Sequence, residues 1–137
     1  MSARRQGSRI PGYRAYGGAL IVPALLNQKR RAHMMVDSGA AYCCITPEIG
    51  RLLGYDLHRP TARRSIASVQ GVDTEVPSFR LQSLQVEGIV VQALEVLVIT
   101  FSPRLRIDGI LGVNFLEHFR STFDFVTATL ILRARSV

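Results

Sequence analysis

"MMVDSGAAYCCIT", residues 34–46, sets one carboxylate, Asp37, between an apolar run and a string of residues with almost no bulk. Met34, Met35 and Val36 read as the end of a buried strand. Burying an acid there is costly unless hydrogen bonds or a function compensate. Ser38, Gly39 and Ala40 leave room for backbone amides or a bound molecule to approach closely. From the residues alone two readings of Asp37 stand side by side: a functional acid, and an ordinary turn-capping Asp-Ser-Gly.

The flanks predict strands. "ALIVPALL" (19–26) and "RRAHMMV" (30–36) are apolar runs separated by the polar Asn27-Gln28-Lys29, a hairpin pattern. Pro23 has no N–H to give to a ladder, which marks the first strand as an edge or bulged one. Downstream, "TPEIGRLLG" (46–54) predicts a short helix with Thr46 as cap, Pro47 in the first turn, Ile49, Leu52 and Leu53 inward and Gly54 at its end. Residues 65–77 alternate loosely around Gly71 and predict an exposed hairpin with a mobile tip. "SFRLQSLQV" and "IVVQALEVLVITF" flank Glu87-Gly88, a tight-turn signature, and the second run predicts a strand covered on both faces. "IDGILGVNFLEHF" passes from an apolar-Gly stretch into a short helix with Phe115, Leu116 and Phe119 inward. "STFDF" and "TLILR" read as a closing strand pair around Val126 and Thr127. The chain is expected to be mainly β with two short helices.

Composition bounds the rest. A chain of 137 residues, 47% hydrophobic and 20% charged, suits one domain with a packed core rather than a disordered segment. Residues 1–18, rich in Arg and Gly and without a period, are expected to be a flexible basic arm, and the domain proper to span 19–137. No run is long enough to span a membrane as a helix, and the first 18 residues hold no apolar block resembling a signal peptide. The expectation is a cytoplasmic protein without a membrane partner. Cys43 and Cys44 are adjacent, so they neither staple distant segments nor match a zinc-ligand spacing, and are expected to pack as small apolar side chains. His33, His58 and His118 are isolated, and neither a metal nor another cofactor is expected.

The formal charge of +7 comes from 17 basic residues, of which only Lys29 is lysine. Arginine suits phosphate. Yet the arginines are scattered along the sequence, with no aromatic interleaving and no nucleic-acid signature, so no nucleic-acid partner is expected. Of the acids, Asp56, Asp73, Glu75, Glu87, Glu95, Glu117 and Asp124 sit in polar or turn contexts and read as solvated charge. Ser38 lacks the glycine two residues earlier that a nucleophile elbow requires and reads as a supporting hydroxyl.

Asp37-Ser38-Gly39-Ala40 in its apolar flank, the "ITPE" helix start, the hairpin at 65–77 and "DGILGVNFL" (108–116) occur in an order that resembles the retropepsin-like aspartic proteases. The resemblance covers roughly Ala19 to Arg133. It implies a small closed β-barrel in which each subunit donates one Asp-Thr/Ser-Gly loop to a site on a twofold axis. Asp37 would be the catalytic acid, Ser38 would hydrogen-bond across the axis, and Gly39 would admit the substrate backbone. Ile110, Leu111 and Gly112 would pack beside the catalytic loop. The 65–77 hairpin would be a flap, with Val69, Gln70, Gly71 and Val72 joining Ala40 in contact with substrate.

No second Asp-Thr/Ser-Gly exists in the chain, because Asp73 precedes Thr-Glu, Asp108 precedes Gly-Ile and Asp124 precedes Phe-Val. One chain therefore holds half a dyad, and the resemblance implies a homodimer hydrolysing polypeptide. The acid and arginine that brace retroviral dimers are absent: Ala41 and Val113 occupy those positions. The alternative is a non-catalytic member of the fold, a dimerisation or peptide-binding module in which Asp-Ser-Gly is structural.

Overall fold

The computed structural model describes residues 7–135. Eleven strands and two short helices follow one another along them: β1 (Ser8–Pro11), β2 (Tyr13–Ala15), β3 (Ala19–Leu26), β4 (Arg30–Val36), β5 (Cys43–Ile45), α1 (Pro47–Leu52), β6 (Ala62–Ser68), β7 (Gly71–Val86), β8 (Ile89–Val98), β9 (Gly109–Leu111), α2 (Val113–Leu116), β10 (Phe119–Asp124) and β11 (Thr129–Ala134). The strands form an eight-stranded sheet, ordered β2-β3-β4-β9-β5-β8-β7-β6, and a three-stranded sheet, β1-β11-β10. The larger sheet curls until β7 returns to β3, pairing Leu25 with Gln85 and Leu26 with Leu84. The fold is mainly β, as the sequence predicts.

The curl encloses the core. Leu20, Val22 and Leu26 of β3, Met34 of β4, Leu81 and Leu84 of β7, Val96 of β8 and Leu111 of β9 are buried against one another, with Phe115 and Leu130 closing the ends. Burial of such side chains contributes roughly 1.5–3 kcal/mol each.

Pro23 sits where its missing N–H costs nothing. On one side of β3, β2 pairs with Ala19–Ile21 and β7 with Leu25–Leu26, which leaves Pro23 in the gap between two partners. The β3–β4 turn places Asn27 and Gln28 at φ 53° and 57°, a left-handed pair within the three-residue loop between the paired Leu26 and Arg30. Asn27 does more than turn the chain: its Oδ1 accepts from Gln82 N at 2.7 Å, and its Nδ2 donates to the Tyr55 hydroxyl at 3.0 Å. One buried amide thus pins the hairpin to β7 and to the segment after α1.

Helix α1 begins as expected, with Thr46 Oγ1 accepting from Ile49 N at 3.2 Å and Pro47 in the first turn. Its inward face differs from expectation in one residue. Ile49 and Leu53 are buried, but Leu52, at the last helical position, points to solvent. Six residues are too few for a broad apolar stripe, and only the i, i+4 pair meets the core. Strand β8 also differs, because only Val96, Leu97 and Val98 are buried in succession, while Gln92 and Ala93 are exposed.

The largest departure lies near the N-terminus. Residues expected to form a flexible arm include β1, which pairs with β11 from Ser8↔Leu132 to Pro11↔Thr129, and β2, which pairs with β3. Ile10 is fully buried in this sheet. A run of four residues carries no readable period, so its single core side chain gives no signal in sequence. Residues 1–6 of the expected arm lie outside the described residues. Among the described residues no helix is long and apolar enough to cross a membrane.

Candidate active site

The lack of bulk after the acid has a topological cause. The chain leaves β4 at Val36, turns through 37–42 and returns as β5, and β9 occupies the space between the two. It runs parallel to β4, pairing Val36 with Leu111, and antiparallel to β5, pairing Cys44 with Ile110. Asp108 secures the entry of β9, its Oδ2 accepting from His33 N at 2.8 Å while its own N–H donates to the His33 carbonyl. The segment after β9 then passes against the inside of the 37–42 loop. Val113 N donates to Ala40 O at 2.7 Å, and Asn114 N to Ala41 O at 3.1 Å. Two chain segments this close leave no room for side chains between them. A Cβ on Gly112 would lie 2.5 Å from Tyr42 O and 2.7 Å from Ala40 O, and one on Gly109 would lie 2.2 Å from Cys44 O.

Asp37 is fixed within this frame. Its N–H donates to Leu111 O at 3.1 Å, its carbonyl accepts from Ala40 N at 3.2 Å, and its carboxylate Oδ1 accepts from Gly39 N at 2.8 Å. The side chain is half-buried, less enclosed than the preceding apolar run suggests, and Ser38 and Gly39 are exposed. The tight loop thus sets the carboxylate at a protein surface in one orientation, with Oδ1 held by a backbone amide.

That surface is a cleft of about 370 Å³, walled by Asp37, Gly39, Ala40, Ala41 and Tyr42 from the loop, by Cys44, Leu97, Ile99 and Ile110 from the sheet, and by Ser65, Ile66, Ala67 and Ser68 from the first strand of the 65–77 hairpin. Asp37 is the one carboxylic acid among these residues. The apolar walls lower the local dielectric and strengthen any polar interaction the carboxylate makes. Cys44 in the wall is no rival nucleophile, because burial pushes its thiol up to about 12, as it does that of Cys43.

The residues singled out in the sequence are brought together unevenly. Asp37, Ser38, Gly39 and Ala40 form the loop, Ile110 lines the cleft, and Leu111 and Gly112 support the loop from within. Val69, Gln70, Gly71 and Val72 do not line the cleft: they form the tip of the hairpin, with Val69 and Val72 exposed. The wall comes instead from Ser65–Ser68, earlier in the same hairpin.

Two residues escaped the sequence reading. Asn114 Oδ1 accepts from Cys43 N at 2.7 Å and its Nδ2 donates to Glu95 O at 2.8 Å, so one side chain clamps the outgoing limb of the loop to β8. An amide in a helix start carries no such signal in sequence. Glu95, read as solvated charge, receives Arg64 at 2.7 and 3.2 Å and the Ser78 hydroxyl. The fork ties β6, just before the wall residues, to β8. The Arg64 hydrogen bonds, more than the opposing effect of partial burial, hold the Glu95 carboxyl below its ordinary range, with Ser78 and Arg80 assisting. A carboxyl depressed on folding stabilises the folded state above its unfolded value, and that contribution disappears as pH falls through the folded value. Glu95→Gln is therefore expected to lower stability at neutral pH. Denaturant titrations should show the gap to the parent closing as the pH drops below the ordinary glutamate range of about 4.3.

Comparison with known proteins agrees with this geometry. A family model described as aspartyl protease matches residues 22–115, which run from β3 through α2 and contain both the Asp37 loop and the segment that braces it. No curated protein sequence matches the chain. Among solved structures, the chain is similar to a retropepsin-like aspartic protease from Rickettsia conorii, with 27% sequence identity, a TM-score of 0.70, and coverage of 91% of this chain and 89% of that one. With a carboxylate held at an apolar cleft by a loop interlocked with β9, and a family model covering more than half its length, the chain belongs to the aspartyl protease family and has the retropepsin-like fold.

Proposed function

We propose that the protein is an aspartic endopeptidase whose active site is completed by a second copy of the same chain. The observation that carries this reading is the single carboxylate. Asp37 alone among the cleft residues carries a carboxyl group, and general acid–base hydrolysis through an Asp pair needs two. A twofold axis beside the exposed Ser38-Gly39 edge sets Asp37 against the partner subunit's Asp37. Ser38 then stands at the axis, where its hydroxyl can join the two loops.

Two carboxylates about 3 Å apart do not both ionise readily, so the pair holds one proton in mildly acidic solution. The ionised member takes a proton from a water as its oxygen attacks the scissile carbonyl carbon. The protonated member donates to the carbonyl oxygen. Collapse of the tetrahedral species breaks the C–N bond, and a proton passes to the leaving amine. The 65–77 hairpin acts as the flap, with Ser65–Ser68 facing the bound polypeptide.

Subunit mixing tests the reading. Adding an equal amount of Asp37→Asn protein to a fixed amount of parent and allowing exchange leaves about a quarter of the dimers fully parental, so peptide cleavage should fall to about half. A ninefold excess should reduce it about tenfold by the same pairing statistics. Unchanged cleavage on mixing would show that one chain suffices. A parent that is dimeric by sedimentation yet cuts no peptide between pH 3 and 7 would leave Asp37 a structural residue.

A further inference from the structure

The hairpin over the cleft is built in two pieces. At its root Ala62, Arg63 and Arg64 pair with Ser78, Pro77 and Val76, and farther out Ile66, Ala67 and Ser68 pair with Asp73, Val72 and Gly71. Between the pieces the register shifts, so that Ser65 alone stands opposite Thr74 and Glu75, and Glu75 takes φ 59°. An extra residue of this kind interrupts the ladder and bends the strand. Strand β7 joins β8 only from Ser78 onward, so the hairpin projects beyond their ladder. Residues 67–75 are all exposed, and the half-buried member of the outer piece is Ile66, packed with Cys44, Val76 and Leu97.

Glu95 supplies a polar tie from the root to β8. Its cross-strand neighbour on β7 is Arg80, whose Nη1 donates instead to Ala93 O at 2.9 Å. The Glu95 carboxylate turns to the hairpin: Oε2 accepts from Arg64 Nε at 2.7 Å, Oε1 accepts from Arg64 Nη2 at 3.2 Å, and the buried Ser78 hydroxyl donates to Oε2. Two parallel bonds to one guanidinium fix an orientation that a single contact does not. The adjacent Arg63 stays within the hairpin, its Nη1 donating to Glu75 O at 3.3 Å. The backbone carbonyl of Glu95 accepts from the same Asn114 amide that holds Cys43 N. One residue thus holds the hairpin with its side chain and the outgoing limb of the Asp37 loop with its backbone. Substituting the side chain removes only the first tie.

We propose that Arg64 and Glu95 are positioning residues, whose fork latches the hairpin root to β8 and so holds Ser65–Ser68 over the cleft before a polypeptide binds. The inference rests on reading the cleft as a peptidase site. The bulge gives the outer piece freedom to swing, and the latch returns it to one place. A wall already in place costs less ordering when substrate arrives, so the latch acts on binding and not on proton transfer at Asp37.

Cys44 is a built-in probe of the latch. It lines the cleft against Ile66 at 4% exposure, whereas Cys43 is fully buried in the main core. Alkylation of Cys44 by iodoacetamide requires the hairpin to lift, and alkylation of Cys43 requires the core to open. Because the paired side chains are 45% and 23% exposed, the effects are modest. Arg64→Gln and Glu95→Gln should each speed alkylation of Cys44 about three- to fivefold, exceeding any change at Cys43. The double variant should go no further than either single one, since both remove the same contact. In peptide cleavage KM should rise by a similar factor, with kcat within about twofold of the parent. Arg63→Gln, an equal charge loss one residue away, should leave Cys44 alkylation and KM within about twofold. Equal acceleration at the two cysteines, a KM that is unchanged or lower, or the same effect from Arg63→Gln overturns the latch. Faster Cys44 alkylation in a protein that cuts no peptide supports the latch and removes the peptidase reading instead.

Discussion

Asp37→Asn is expected to abolish peptide cleavage while leaving the fold and the assembly of the protein intact. The amide has nearly the shape of the carboxylate, and its oxygen can still accept from Gly39 N, the one hydrogen bond that Oδ1 makes in the loop. Because the side chain is half-buried and stays hydrogen-bonded, the stability change should remain below about 1 kcal/mol. What disappears, on the proposed mechanism, is the group that takes a proton from water or gives one to the scissile carbonyl. The loss in kcat/KM should exceed about 10³-fold, or roughly 4 kcal/mol of transition-state stabilisation. Parallel measurement of cleavage and of thermal melting separates chemistry from folding. A variant retaining activity within tenfold of the parent would remove Asp37 from the mechanism.

The largest stability effect is expected from a single methyl group at Gly112. Its Cβ would meet the carbonyl oxygens of Tyr42 and Ala40 at 2.5 and 2.7 Å. Both are backbone atoms, with no rotamer to change. Separating the segments by the needed distance would disrupt the 2.7 Å bond from Val113 N to Ala40 O and the neighbouring bond from Asn114 N to Ala41 O. Overpacking of this kind costs about 3 kcal/mol or more where nothing can yield. For a chain of this size, Gly112→Ala should lower Tm by about 10 °C or more. Gly88→Ala is the control: no atom lies within 4 Å of its Cβ position, and its effect should stay within about 0.5 kcal/mol. Equal melting temperatures for the two variants would show that the loop and the post-β9 segment are not interlocked as described.

Most of the strand order was readable because β3, β4, β7 and β8 are long enough to show a pattern and are punctuated by turns such as Asn27-Gln28 and Glu87-Gly88. Helix α1 was legible from Thr46 and Pro47, whose roles are local. What stayed hidden depends on distant partners. Strand β1 exists because β11, more than a hundred residues later, supplies its ladder. Asn114 and Glu95 matter through bonds to Cys43 and Arg64, which no window around either residue contains. In the site, Asp37 stood out by residue type and Gly112 through the family resemblance, whereas the cleft wall at Ser65–Ser68 follows from how the hairpin lies over the sheet.

The insertion of β9 between β4 and β5 also governs when the acid can act. Asp37 and its neighbours are made some seventy residues before the strand that orients them, which begins at Gly109. Closing a chain segment of some seventy residues must precede any reward from the contacts it brings, so topologies dominated by such pairings fold slowly. A nascent chain that has not reached Leu111 carries the aspartate without the backbone acceptor that positions its amide. On the proposed mechanism, hydrolytic competence is thus deferred until the chain has been made as far as Leu111, a safeguard against cutting while neighbouring chains are still unfolded.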